Sequence, residues 1–76
     1  MDYLVVIHPA EEGGFWAEVP ALGGCFAQGE TIEEVLADAR EAIAAHLEAL
    51  RAEGRPIPTE QPPILATVRV PSPTAA

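Results

Sequence analysis

The sequence predicts an α+β fold of two layers, with elements in the order strand, strand, strand, helix, strand and the helix on one face of the sheet. Three observations lead to this prediction. Short runs of β-forming residues alternate with turns rich in glycine and proline up to Glu30. One long amphipathic segment with a helix-capping signature comes next. A last run of β-forming residues, Leu65–Val70, lies near the carboxyl end.

The first three strands are predicted at Tyr3–His8, Phe15–Val19 and Cys25–Gln28. Pro9 ends the first of them, because proline cannot donate to the hydrogen-bond ladder of a sheet. The short glycine-containing link from Pro9 to Gly14 makes the first two strands an antiparallel hairpin.

The second strand has two different faces. Because side chains alternate along a strand, Phe15, Ala17 and Val19 share one face. Trp16 and Glu18 share the other face.

The helix is predicted from Ile32 to Glu53. Thr31 is the N-cap, and Glu34, three residues later, completes a capping box. Gly54 ends the helix. At 100° per residue an apolar stripe faces the sheet; it contains Ile32, Val35, Leu36, Ala39, Ile43, His46, Leu47 and Leu50. An acidic ridge lies opposite and is expected to face solvent, away from the sheet; it contains Glu34, Asp38, Glu41 and Glu48.

The topology follows from the element order. A right-handed crossover through the helix places the last strand, Leu65–Val70, beside the first, which predicts the sheet order 3-2-1-4. Residues 1-70 then form one domain, and residues 71-76 form a flexible tail.

The first strand is apolar on both sides, whereas one helix covers only one face of the sheet. The other face, which carries Trp16, needs a protein partner, either identical or different. We therefore expect a homo-oligomer or a complex rather than a monomer.

Composition excludes several classes of function. The chain of 76 residues has 12 acidic and 4 basic residues and a net charge of −8, so it repels phosphates, and we expect no direct binding to nucleic acid or to anionic membranes. A basic protein partner is favoured. The chain opens with Met1 and Asp2 rather than with a basic region and a long apolar stretch, so we expect neither a secretory signal nor a membrane span. Its single cysteine agrees with a reducing compartment, so we expect a cytoplasmic protein.

Catalytic and metal-binding interpretations are weak. Cys25 could act as a nucleophile with His8 or His46, or the three could ligate zinc, but their spacing matches no compact ligand motif. Only Glu18 among the carboxylates lies on a predicted strand, so a two-metal site is not expected. We expect no enzyme activity, no cofactor and no metal.

The stretch from Gly14 to Val35 combines a glycine-aromatic hairpin, a proline, a glycine-cysteine pair, a glutamine-glycine turn and a capped helix. Gly54 and then Ile57-Pro58 follow the helix. This pattern resembles the HicB-like antitoxin family, and the resemblance extends over Tyr3–Val70. It implies a truncated ribonuclease-H-like fold without the carboxylates of that enzyme.

The resemblance also implies a binding role, in which the domain inhibits a small basic HicA-like ribonuclease toxin that cleaves messenger RNA. Together with the charge and the uncovered face, it suggests five partner-binding candidates, which are Trp16, Glu18, Tyr3, Glu11 and Glu12. The alternative is an orphan homo-oligomeric scaffold or interaction subunit that has no toxin.

Overall fold

A computed structural model of the chain describes residues 1–60 and 63–73 and shows a three-stranded antiparallel sheet with one helix against it. The strands are β1 (Val6–Pro9), β2 (Phe15–Glu18) and β3 (Phe26–Gly29), and the helix is α1 (Ile32–Ala52). The strands lie in the order β1-β2-β3. The predicted α+β class and the type and order of the first four elements are confirmed.

The predicted bounds of the first strand were wrong, because β1 begins at Val6 rather than at Tyr3 and includes Pro9. Pro9 can belong to the strand because β1 is an edge of the sheet, where a missing amide breaks no ladder bond on the open side.

The predicted hairpin of β1 and β2 is formed, with Val6 opposite Glu18 and Pro9 opposite Phe15. The turn between the strands is closed by the amide of Ala10, which donates to the carbonyl oxygen of Gly14 at 3.0 Å. β2 therefore lies in the centre of the sheet, and β1 and β3 are its two edges.

The main core lies where α1 crosses β2 and β3. It consists of small residues, Ala17 and Ala27 from the strands and Val35 and Ala39 from the helix, all buried. Because alanine side chains are short, the helix backbone approaches the sheet closely at this point. Gly29 shows how closely, since a Cβ atom there would lie 2.7 Å from the backbone nitrogen of Val35.

A second core cluster lies under the loop between β2 and β3. It contains Val19, Leu22 and Cys25, with Tyr3 and Leu47 packed against it. Backbone hydrogen bonds hold the loop in shape: the amide of Leu22 donates to Val19 at 2.9 Å, and that of Cys25 donates to Leu22 at 3.1 Å. The loop therefore turns Leu22 inward, where it is one of the two largest fully buried side chains.

The predicted capping box is present at the start of α1. The hydroxyl of Thr31 accepts the amide of Glu34 at 3.1 Å, and the carboxylate of Glu34 accepts the amide of Thr31 at 3.2 Å. Two amides that lack a partner inside the helix are satisfied in this way.

The helix ends where the sequence predicts, at a glycine. Gly54 has a φ of +70°, and its amide donates to the carbonyl of Arg51 at 3.1 Å. The amide of Arg55 donates to the carbonyl of Leu50 at 2.9 Å, which completes a Schellman motif. The positive φ favours glycine at this position.

The apolar stripe of the helix is only partly covered. Val35, Ala39 and Leu50 are buried as predicted, but Ile32 and Leu36 are exposed, with Leu36 at 48%. The prediction was wrong for these two residues because α1 packs mainly on β3 and β2, which leaves the flank of the helix on the β1 side without a covering strand.

The predicted fourth strand, Leu65–Val70, is not formed. Residues 63–73 contain no strand or helix, and Val68 is 83% exposed. The sheet order 3-2-1-4 is therefore not observed in the single chain. The physical reason is that this segment lies against no sheet edge: the radius of gyration is 16.3 Å, whereas a compact chain of this length would have about 11 Å. Of the predicted tail at 71-76, residues 74–76 lie outside the described residues.

Candidate partner-binding surface

The face of the sheet opposite the helix forms a small mixed surface of aromatic and polar residues. The strand register places His8, Trp16 and Gln28 in one row across the sheet. The neighbouring row contains Val6, Glu18 and Phe26. We call these six residues the open face.

Aromatic rings dominate the open face. The imidazole of His8 stacks on the indole of Trp16, with ring centroids 4.3 Å apart and planes 20° from parallel. The ring of Phe26 lies 6.4 Å from that of Trp16 at a tilt of 48°. Trp16 is 39% exposed and Phe26 60% exposed. Clustered and exposed aromatic side chains are typical of protein-binding surfaces, where tryptophan is enriched among the anchors.

A hydrogen bond between side chains holds the aromatic pair in place. The Nε2 atom of His8 lies 2.9 Å from the Oε2 atom of Glu18. Both side chains are about 40% exposed, so solvent screens the pair and its contribution to stability is small. Its main effect is to orient the imidazole that stacks on Trp16.

Carboxylates border the open face on one side. A depression of about 580 Å³ adjoins Trp16 and continues across β3 to the helix. Four acidic residues line it, and these are Glu12, Glu30, Glu34 and Asp38. An exposed aromatic cluster with a negative border is complementary to a surface that presents basic residues around an apolar contact.

The sequence patterns did not reveal the part of this border that comes from the helix. Asp38 was expected on the ridge away from the sheet, but its carboxylate accepts the amide of Gln28 in β3 at 2.9 Å. The expectation was wrong because α1 packs closest to β3, so the side chain at this helix position reaches the strand edge. The signal that could have indicated it is the helical angle: at 100° per residue Asp38 lies closer to the buried Val35 and Ala39 than Glu41 does.

The five candidate residues do not all lie together. Trp16 and Glu18 lie on the open face. Glu12 lines the adjoining depression, and Glu11 is exposed in the same turn. Tyr3 lies apart, because its ring packs against the second core cluster and its hydroxyl donates to the carbonyl of Pro58 at 2.5 Å. The geometry thus groups four of the five candidates, whose roles in binding stay predictions.

The residues considered for nucleophilic or metal chemistry lie in different parts of the fold. Cys25 is buried among Val19 and Leu22, and burial raises the pKa of its thiol. A raised pKa lowers the fraction of Cys25 that is present as the thiolate, which is the reactive form. His8 is engaged with Glu18 and Trp16 on the open face. Within residues 1–60 and 63–73, no three metal-ligating side chains converge on a common point.

No helix in the described part of the chain combines the length and the apolar character needed to cross a bilayer.

The chain matches a family of known proteins over nearly its whole length. A model of the HicB-like antitoxins of bacterial toxin–antitoxin systems matches residues 3–72. The chain belongs to this family. The match includes the hairpin, the loop, the capped helix and the segment after it.

Several relatives are UPF0150 proteins. One from Thermoplasma acidophilum is 43% identical over 60 residues, covering 79% of this chain and 87% of that protein. One from Synechocystis is 67% identical over 36 residues, but this stretch covers only 47% of this chain and 49% of the relative. Among solved structures, a chain of a HicA3 and HicB3 toxin–antitoxin complex is similar, with a TM-score of 0.67 and 38% identity over 80% of this chain and 70% of that chain.

Membership in this family suggests a role in binding rather than in catalysis.

Proposed function

We propose that this chain is an antitoxin module that neutralises a small basic HicA-like toxin by occluding it, without enzymatic activity of its own. The observation that carries the proposal is the open face, where Trp16 and Phe26 are exposed beside a carboxylate border. Family membership and the likeness to a chain of a toxin–antitoxin complex support it. Since such a toxin acts on messenger RNA, the proposal includes a cytoplasmic location.

The two parts of the surface have different tasks in this proposal. Trp16 is the anchor, because desolvated aromatic contacts dominate the energy of an interface and so control dissociation. Glu11 and Glu12 are exposed at the turn beside the surface. Their charges act before contact and steer a basic partner, and salt screens this attraction beyond about 10 Å at 0.1 M.

Stopped-flow kinetics with a purified HicA-like toxin test both assignments. Trp16→Ala should raise the dissociation rate about tenfold or more, because hot-spot residues contribute at least about 2 kcal/mol. The matched control is Ile32→Ala, since Ile32 is also exposed, at 44%, but lies outside the open face and the depression. An unchanged dissociation rate for Trp16→Ala would exclude Trp16 as the anchor.

Neutralising Glu11 and Glu12 together to glutamine should slow association and weaken its dependence on salt, while dissociation stays the same. The control is the double change Glu41→Gln and Glu48→Gln, which removes equal charge from exposed positions of the helix. If both double variants slowed association equally, net charge rather than the turn would steer the partner.

The alternative, an orphan scaffold whose open face binds a second copy, makes the opposite prediction. The protein would then show no measurable affinity for a HicA-like toxin, and Trp16→Ala would reduce self-association instead. Light scattering of the wild type and of Trp16→Ala, without any toxin, separates the two functions.

A further inference from the structure

The segment of residues 63–73, which we call the carboxy-terminal arm, is exposed although its composition is that of a strand. Ile64 is 95% exposed, and Val68 and Val70 are also exposed. β-Branched residues favour extended chains in sheets, and a contiguous apolar segment in water marks an interaction site. The arm therefore needs a sheet edge and an apolar surface, which it lacks in the single chain.

The order of residues in the arm fits this need. In an extended chain, alternate residues point to opposite sides. One side of the arm is then entirely apolar and comprises Ile64, Ala66, Val68 and Val70. The other side comprises Leu65, Thr67 and Arg69.

A matching edge is open along β1. The amide of Leu4, just before β1, donates to the carboxylate of Glu60 at 3.1 Å. The hairpin bond from Ala10 to Gly14 and the strand register direct the amides of Val6 and His8 toward β2. Because backbone groups alternate along an antiparallel strand, the amide and carbonyl of Ile7 point to the open side of β1. Within the described residues no strand pairs with β1 on that side, because β2 is its only partner in the sheet. One more strand can therefore be added there.

A matching apolar surface lies beside the same edge. A groove of about 490 Å³ runs between the amino-terminal segment and the uncovered flank of α1. Its apolar lining includes Val5, Leu36, Ala39, Ile43 and Leu47. A strand paired with β1 would place one row of its side chains against this flank, and the apolar side of the arm supplies such a row.

The arm of the same chain does not occupy this edge. The chain reaches the start of β1, where Pro58 accepts the hydroxyl of Tyr3 and Glu60 accepts the amide of Leu4. Beyond this anchorage the arm leaves the body, and the molecule extends over 59 × 28 × 17 Å. The arm carries Arg69 and no acidic residue, whereas all twelve acidic residues lie before it. Opposite charge favours its approach to another acidic body.

We propose that two copies exchange their carboxy-terminal arms, each arm pairing with β1 of the other copy and covering the groove beside its helix. Each sheet then gains a fourth strand in the order 3-2-1-4, with the last strand supplied by the partner copy. Because the exchange is reciprocal, the dimer is closed and symmetric, as is usual for homodimers. The open face stays free in this arrangement.

Disulfide trapping tests the exchange directly. In a Cys25→Ala background, a tagged chain with Leu36→Cys is refolded from denaturant together with an untagged chain with Val68→Cys and then oxidised. The proposal expects a covalent pair of the tagged and untagged chains on a non-reducing gel. Thr67→Cys in place of Val68→Cys is the matched control, because its side chain belongs to the other side of the arm, and it should link much less.

Light scattering of the otherwise unmodified chain at micromolar concentration gives an independent measurement that does not depend on the Cys25→Ala background. The wild type should have twice the mass of one 8.0 kDa chain. Val68→Asp should give a monomer with unchanged helical circular dichroism, whereas Thr67→Asp should stay dimeric.

Three outcomes would overturn the proposal. A wild-type monomer is the first. The second is a disulfide that forms only within a chain carrying both Leu36→Cys and Val68→Cys, since the arm would then fold back onto its own β1. The third is a dimer that persists in Val68→Asp and is lost in Trp16→Ala, since that dimer would use the open face.

Discussion

The two edges of the sheet differ in how far other parts of the chain cover them. At the β3 edge the helix closes the structure: Asp38 accepts the amide of Gln28, and the backbone of Val35 lies against Gly29. At the β1 edge only the start is occupied, where Glu60 accepts the amide of Leu4. The rest of that edge has no strand beside it in the described part of the chain.

The difference is one of distance along the chain. The bond from Gln28 to Asp38 joins residues 10 apart, and the bond from Leu4 to Glu60 joins residues 56 apart. Closing a longer loop costs more conformational entropy, and the arm must in addition order itself after a proline-rich connection. A helix close in sequence therefore covers the β3 edge, while the segment that could pair with the β1 edge lies far along the chain and is not paired with it.

The largest expected loss of stability comes from a substitution that disrupts the close packing of α1 against β3. Gly29→Ala places a Cβ 2.7 Å from the backbone nitrogen of Val35 and 2.9 Å from the carbonyl carbon of Glu34. Since backbone cannot move aside as a flexible side chain can, we expect a loss of about 3 kcal/mol in the free energy of unfolding by urea. Gly23→Ala is the control, because nothing lies within 4 Å of a Cβ there. Equal losses for both variants would refute the role of the contact.

The next largest loss of stability is expected from removing the N-cap of α1, which lies beside the same edge. Thr31→Ala removes the hydroxyl that accepts the amide of Glu34, and we expect about 1 kcal/mol lower stability by urea unfolding. Thr67→Ala, in the exposed arm, should leave the unfolding midpoint unchanged. An unchanged midpoint for Thr31→Ala would mean that the capping box does not stabilise the helix.

A smaller effect concerns the anchorage beside the β1 edge. Tyr3→Phe keeps the packing of the ring but removes the hydroxyl that donates to Pro58. A single half-buried hydrogen bond of this kind contributes about 0.5 kcal/mol or slightly more. Hydrogen exchange should show a faster-exchanging Leu4 amide, while amides in the β3–α1 region keep their protection. Equal acceleration of exchange in both regions would show that the two sheet edges are not stabilised independently.

The smallest expected change in stability at neutral pH comes from Cys25, which lies in the second core cluster just before β3. Burial raises the pKa of this thiol in the folded chain, whereas the thiol of the unfolded chain ionises at about pH 8.5. The unfolded state then loses its proton first, so the stabilising contribution is complete below about pH 8.5 and declines as the pH rises. Urea midpoints of the wild type should fall between about pH 7.5 and 9.5 more than those of Cys25→Ala. Parallel slopes would show that the thiol does not contribute.

Much of the fold could be predicted from local patterns. Thr31 and Glu34 predicted the capping box, and Gly54 predicted the end of the helix, because capping depends on residues close in sequence. The alternation in β2 predicted that Ala17 is buried and that Trp16 lies on the other face. The position of Trp16 on the candidate surface therefore follows from the alternation of side chains along a single strand.

What failed depended on contacts between distant parts of the chain. Helical periodicity placed Asp38 on the solvent side and Leu36 on the buried side, and the structure reverses both expectations. Periodicity gives the faces of a helix but not its position across the sheet. That position is set by the small alanines and Gly29, which draw the helix toward β3.

The sequence by itself determined the order and type of the first four elements, the ends of the helix, the acidic charge and the family pattern, since all of these depend on neighbouring residues or on composition. Only the tertiary structure decided where the carboxy-terminal arm lies and which residues border Trp16. A strand such as Leu65–Val70 exists only when an edge pairs with its backbone, and no local propensity states whether that edge belongs to the same chain or to another.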